Sequence, residues 1–88
     1  MTIRIALVGF GHIARHEHLP AIRANAAYRL AAVVTRGADP DLGVAWFENL
    51  GALLQRMPGE VDAVAICTPP EVRSAIAREA IAAGLGVL

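Results

Sequence analysis

The chain has 88 residues, 56% of them hydrophobic and 18% charged, a balance that excludes disorder and leaves room for one small domain. Eight basic and eight acidic residues cancel, so the charge offers no footprint for nucleic acid or an anionic membrane. The single cysteine, Cys67, cannot form an internal disulfide, and no stretch reaches the roughly 20 apolar residues of a membrane span; a cytoplasmic protein is expected.

In chain order, Ile3 to Val8 reads as a first strand and Gly9 to Gly11 as a tight turn. A helix is predicted from about His12 to Asn25, with Ile13, Ala14, Leu19 and Ile22 at roughly helical spacing. Pro20 falls inside it and removes a backbone donor, so a kink or break is expected near His18–Leu19. Arg29 to Val34 reads as the second strand, Thr35 to Gly43 as a loop, and Val44 to Phe47 as a short third strand. Asn49 suits the N-cap of a helix from Leu50 to Arg56, closed by Pro58-Gly59. Val61 to Cys67 reads as the fourth strand, and Thr68-Pro69-Pro70 as a turn. A helix from Glu71 to Ala83 follows, with Val72, Ala75, Ile76, Ala80 and Ile81 turned inward and Gly84 as its C-terminal cap. Gly86-Val87-Leu88 opens a fifth strand.

The runs IRIALV, LAAVV and VDAVAIC are apolar almost without interruption, which suits parallel strands covered on both faces. Strand and helix alternate throughout. The expected class is therefore α/β, a Rossmann-type doubly wound parallel sheet of about five strands in the order 3-2-1-4-5. Because Leu88 sits at the start of a buried strand, the 88 residues are expected to belong to a longer protein. Residues 1–88 would then be its NAD(P)-binding domain, with the substrate domain elsewhere.

Gly9-Phe10-Gly11-His12-Ile13-Ala14 fits the pattern G-x-G-x-x-G/A, between a predicted strand and a predicted helix. Gly9 permits the turn, Gly11 lets the backbone approach a pyrophosphate, and Ala14 lets the helix lie close to the strand. The helix N-terminus adds free N–H groups and partial positive charge. The bland alternative is a turn whose glycines serve backbone geometry alone. A methyltransferase also uses a glycine-rich first turn, but would place an acid at the end of the second strand. Here that strand ends in Thr35-Arg36, a hydroxyl and a guanidinium suited to a 2′-phosphate, so NADP is the expected cofactor with NAD as a possible second. An ordinary solvated loop arginine is the alternative for Arg36.

Cys67, Thr68, Pro69 and Pro70 lie where the fourth strand ends, and Thr68 is expected either to meet the ribose on the nicotinamide side or to cap the next helix. Cys67 reads as a small packed residue rather than a nucleophile. His12, His16 and His18 suggest a metal site at first sight, but Pro20 disturbs the helix and His12 belongs to the turn, so no metal is expected. Trp46 and Phe47 read as packing residues.

ALVGFGHIARHEHLPAI, a second strand, and VDAVAICTPPEVRSAIAREAIAAG together resemble the N-terminal domain of the Gfo/Idh/MocA oxidoreductases over essentially the whole chain. Within that family the nearer likeness is to aldose 1-dehydrogenases of the galactose or arabinose type, through IRIALVGFG, Thr35-Arg36 and ICTPPEVR. The resemblance implies a two-domain enzyme that oxidises an aldose at C1 to a lactone, and a homo-oligomer whose partners are a nicotinamide dinucleotide and a sugar, with no nucleic acid or membrane. It also implies that the proton-transfer lysine lies in a Glu-Lys-Pro motif beyond the fifth strand. No catalytic residue is therefore expected within residues 1–88, and these residues alone are expected to be inactive. Many relatives carry histidine where this chain has Arg73. A non-catalytic cofactor sensor or transcriptional regulator of the same family, and a domain that folds but binds nothing, are the competing readings.

Overall fold

The apolar runs become the centre of one parallel sheet. In the computed structural model, which describes residues 2–12 and 14–88, five strands are paired in the order β3-β2-β1-β4-β5. They are β1 (Ile3–Val8), β2 (Tyr28–Val34), β3 (Ala45–Phe47), β4 (Ala63–Ile66) and β5 (Gly86–Val87), and every pairing is parallel. The sequence expectation thus holds for class and strand order. Between the strands lie a π-helical stretch, Ala14–His18, and helices α1 (Leu19–Ala24), α2 (Leu50–Arg56) and α3 (Pro70–Ala82).

Successive strand residues point to opposite faces, and both faces are covered, so the alternation separates two cores rather than core from solvent. Ala6, Val8, Ala32, Val34, Val64 and Ile66 pack with Leu50, Leu53, Val61 and Ala80 on the side of α2 and α3. Ile5, Leu7, Val33 and Ala65 pack with Leu19 and Ile22 of α1 on the other.

Pro20 has the expected effect in a specific form. Helical winding changes from π to α between His18 and Leu19, and the wider turn accommodates a residue that has no N–H to donate. Ala14, Leu19 and Ile22 are buried as the spacing requires. Ile13, part of both the helical spacing and the glycine motif, lies outside the described residues.

Caps set the other helix ends. Asn49 accepts a hydrogen bond from the Ala52 N–H at 2.8 Å and opens α2. Past α3, the Gly84 N–H donates to Ile81 (2.9 Å), the Leu85 N–H donates to Ala80 (3.0 Å), and Gly84 has φ +82°, a Schellman ending.

Three expectations need correction. β4 is shorter than Val61–Cys67, because Asp62 is tied to Arg4 before the ladder begins. The inward face of α3 consists of Ile76, Ala77 and Ala80, whereas Val72 and Ala75 are exposed and Ile81 is 64% exposed. Val72 sits in the first turn of α3, beyond the end of β4. The third correction concerns Thr68. Pro69 occupies the N-cap position of α3 and no side chain caps it, so Thr68 does not serve as the cap.

The Arg4–Asp62 pair lies at the amino end of the sheet. Arg4 Nε and Nη2 donate to the two carboxylate oxygens at 3.0 and 2.9 Å, and the Arg4 N–H donates to one of them at 2.8 Å. Hydrogen bonds from Arg4 lower the Asp62 carboxyl to about 2.

Candidate functional site at the carboxyl ends of the strands

β1, β2 and β4 end side by side, and the turn after β1 sits between the other two. The Gly9 N–H donates to Val34 at the end of β2 (2.6 Å), and the Cys67 N–H donates to Val8 at the end of β1 (2.8 Å). The Gly9 turn, Thr35-Arg36 and Cys67-Thr68 are therefore brought to one edge, as the motif reading expects.

The two glycines of the turn differ in kind. Gly9 has φ +86°, and a β-carbon there would lie 2.8 Å from Thr68 Cγ2, 3.1 Å from Thr68 N and 3.2 Å from the Cys67 carbonyl carbon. Packing and backbone conformation alone demand glycine at that position. Gly11 does not have a positive φ, and a β-carbon there would meet no atom of the described residues within 4 Å. Among the described residues, neither backbone conformation nor packing calls for glycine at position 11. The Gly11 carbonyl accepts from the Arg15 N–H at 3.0 Å, and Gly11 and His12 are exposed.

Several features of this edge have no signature in the sequence. The Arg15 guanidinium lies over the ring of half-buried Phe10, 4.6 Å from its centroid. The His12 and His16 rings are 4.4 Å apart, tilted by 42°. Thr68 Oγ1 is sealed from solvent and has no hydrogen-bond partner among the described residues. Arg73 Nη2 donates to the Thr68 carbonyl at 3.2 Å, which ties the first turn of α3 to the loop beside Gly9. Burial raises the Cys67 thiol above its ordinary range, and the charge of Arg73 opposes the shift. Pro69 and Pro70 are exposed and lead into α3, while Arg36 is exposed just past the end of β2.

Two surface hollows lie elsewhere. One of about 390 Å³ is lined by Leu53, Met57, Val61, Asp62 and Leu85, and one of about 270 Å³ by Arg4, Arg29, Gly43, Met57 and Glu60. Both are at the amino ends of the strands. Open α/β sheets bind ligands at the other end, so the shallow edge around Gly11 is the better candidate despite the larger hollows.

Strand order and a glycine turn directly after β1 define the class: a Rossmann-type nucleotide-binding domain. Residues 3–88 match the Gfo/Idh/MocA oxidoreductase family, NAD-binding Rossmann fold, and the chain belongs to that family. It is 51% identical over 86 residues to a galactose 1-dehydrogenase of Pseudomonas fluorescens, matching 98% of this chain and 28% of that protein. Among solved structures it is similar to a D-galactose-1-dehydrogenase from Rhizobium etli (TM-score 0.91, 38% identity, 99% of this chain and 28% of the other). It is also similar to KijD10, a 3-ketoreductase from Actinomadura kijaniata in complex with NADP and TDP-benzene (TM-score 0.88, 29% identity, 100% and 28%). The chain thus spans 28% of the length of each of these relatives. Among the described residues no helix is long and apolar enough to cross a membrane.

Proposed function

We propose that residues 1–88 form the NAD(P)-binding domain of a sugar dehydrogenase that oxidises an aldose at C1 to its lactone. The observation that carries the cofactor half is Gly11: a glycine that neither φ nor packing requires, exposed beside a turn that Gly9 holds rigidly. A missing β-carbon there has a function only if something from outside comes close to the backbone. The unpartnered hydroxyl of Thr68, one contact away from Gly9, fits the same cofactor, since it is a buried polar group awaiting a partner. Likeness to two galactose dehydrogenases supports the sugar half.

In this reading Gly9 sets the turn, and Phe10, Gly11, His12, Ile13 and Ala14 carry the diphosphate. Cys67, Thr68, Pro69 and Pro70 form the wall toward the nicotinamide ribose, and Thr68 Oγ1, sealed in this structure, would reach the ribose only after its side chain turns outward. Thr35 and Arg36 meet the adenosine ribose and favour a 2′-phosphate, because no acid stands at the end of β2 to take a 2′-hydroxyl. Held by these residues, a nicotinamide would supply the acceptor for a hydride from the sugar C1, with the C1 hydroxyl proton passing to a base. These residues bind and orient, and none of them is assigned the base. Zero net charge supports small-molecule partners over nucleic acid.

The test is to express the full reading frame that encodes this chain and supply D-galactose or L-arabinose with NADP⁺ or NAD⁺. Reduced nicotinamide and a lactone are expected, with an Arg36→Ala variant losing NADP preference. Absence of reduction with any aldose would remove the sugar reading, and unchanged NADPH affinity in Arg36→Ala would remove the 2′-phosphate assignment.

A further inference from the structure

The end of β2 is fastened in a way the motif does not require. The Thr35 N–H donates to the Phe47 carbonyl at 2.9 Å, continuing the register in which Val33 faces Trp46 and Val34 faces Phe47. A longer third strand would offer the next N–H to the Thr35 carbonyl. That donor is missing because Asn49 leaves the strand direction to cap α2. The Trp46 indole takes its place, with Nε1 donating to the Thr35 carbonyl at 3.0 Å across eleven residues of sequence. The ring is half-buried in the α1-side cluster that also holds Phe10, Leu42 and Val44.

Both backbone polar groups of Thr35 are therefore consumed, and its peptide orientation is set from two sides. Immediately afterwards the chain enters a loop with positive φ at Gly37 (+90°), Asp41 (+58°) and Gly43 (+75°), so the two Thr35 bonds are the fastening nearest to position 36 on the sheet side. The Thr35 side chain and the Arg36 guanidinium are left as the groups free to meet a ligand.

We propose that Trp46 is a positioning residue for cofactor choice: its indole N–H replaces a missing ladder donor, holds the Thr35 carbonyl, and so presents Thr35 and Arg36 to a 2′-phosphate. The proposal rests on the reading of Thr35 and Arg36 as the 2′-phosphate subsite. Trp46 does not touch the ligand; it fixes the peptide from which the ligand-binding groups extend. Preorganisation of this kind raises affinity by removing an ordering cost, and here the gain is confined to the phosphate that distinguishes NADPH from NADH.

The experiment uses the full reading frame and measures NADPH and NADH dissociation constants, by nicotinamide fluorescence, for the parent, Trp46→Phe, Arg36→Ala and the double variant. Loss of one hydrogen bond corresponds to a weakening of roughly three- to tenfold for NADPH. NADH affinity is expected to stay within about twofold, a split that general loosening of the fold does not produce. In the Arg36→Ala background, Trp46→Phe is expected to cost less for NADPH than in the parent, because only the Thr35 hydroxyl is then left to be presented. Equal weakening of both cofactors, or the same NADPH cost in both backgrounds, would overturn the proposal. If Arg36→Ala weakens NADPH and Trp46→Phe does not, the indole clamp is wrong while the subsite reading survives. If Arg36→Ala itself has no effect, the subsite reading fails first and the clamp with it. Should Trp46→Phe not fold, 3-benzothienylalanine at position 46 keeps the shape and deletes only the N–H, and the same split is read from it.

Discussion

Replacing Gly11 by alanine separates folding from binding at a single position. A β-carbon at residue 11 meets no atom of the described residues within 4 Å and the backbone is not in the left-handed region, so the native fold is expected to accept it without strain. Alanine also narrows the unfolded ensemble, which raises stability by about 0.4–1 kcal/mol at compatible positions. The same methyl group occupies the space through which a diphosphate reaches the turn. Displacing one charge-assisted hydrogen bond costs about 1.5–3 kcal/mol, and each 1.4 kcal/mol is tenfold in affinity, so NADPH binding should weaken by about 10- to 100-fold. The assay pairs thermal melting with a fluorescence titration of NADPH on the full reading frame. An unchanged or slightly raised Tm with a weakened Kd is expected. Unchanged affinity would refute the reasoning, because the open face of Gly11 would then have no ligand to explain it.

The Gly9→Ala variant should behave oppositely. It forces alanine into φ +86° at about 1–2 kcal/mol and drives its methyl to 2.8 Å from Thr68 Cγ2 and 3.1 Å from the Thr68 amide, an overpacking cost of about 1–3 kcal/mol. A fall of about 2–5 kcal/mol in urea stability is expected, and an unchanged midpoint would contradict the packing described. Asp62 has a folded pKa of about 2 against an ordinary 3.8, so the stability it contributes is present above about pH 4 and is lost as pH falls toward 2. Asp62→Asn should flatten that part of the acid-unfolding curve, and an identical pH slope in the variant would count against the pair. Cys67, with its thiol raised by burial, should react with iodoacetamide more slowly than a free cysteine at neutral pH. Arg73→Ala should move the reactive range of Cys67 further up in pH, and a fall would show that Arg73 does not act on the thiolate.

Much of this architecture is legible in the chain because its local signals agree. Unbroken apolar runs mark strands buried on both faces, Asn49 and Gly84 mark helix ends, and Gly9 and Gly11 mark the turn. The change of winding at His18–Leu19 is legible from Pro20, although the π form is not. The face of α3 is misread at Val72 and Ala75 because helical spacing reports which residues share a side, not where along the helix the packing surface begins. Thr68 is legible as a residue at the end of the fourth strand, but the lack of a partner for its hydroxyl among the described residues goes with Pro69 taking the cap position. The Trp46–Thr35 contact has no local signal at all, since it exists only once β2 and β3 are in register and Asn49 has turned away. Charge balance and residue spacing likewise carry no trace of Arg15 over Phe10.

A titration of ¹⁵N-labelled protein with NADPH, followed by amide chemical shifts, addresses the choice between the two ends of the sheet. The largest shifts are expected at Gly9, Phe10, Gly11 and His12, with smaller ones at Thr35, Arg36 and Thr68. Shifts concentrated instead around Arg4, Met57 and Leu85, with the glycine turn unmoved, would place the ligand in the hollows at the amino ends and contradict the dinucleotide reading of the turn.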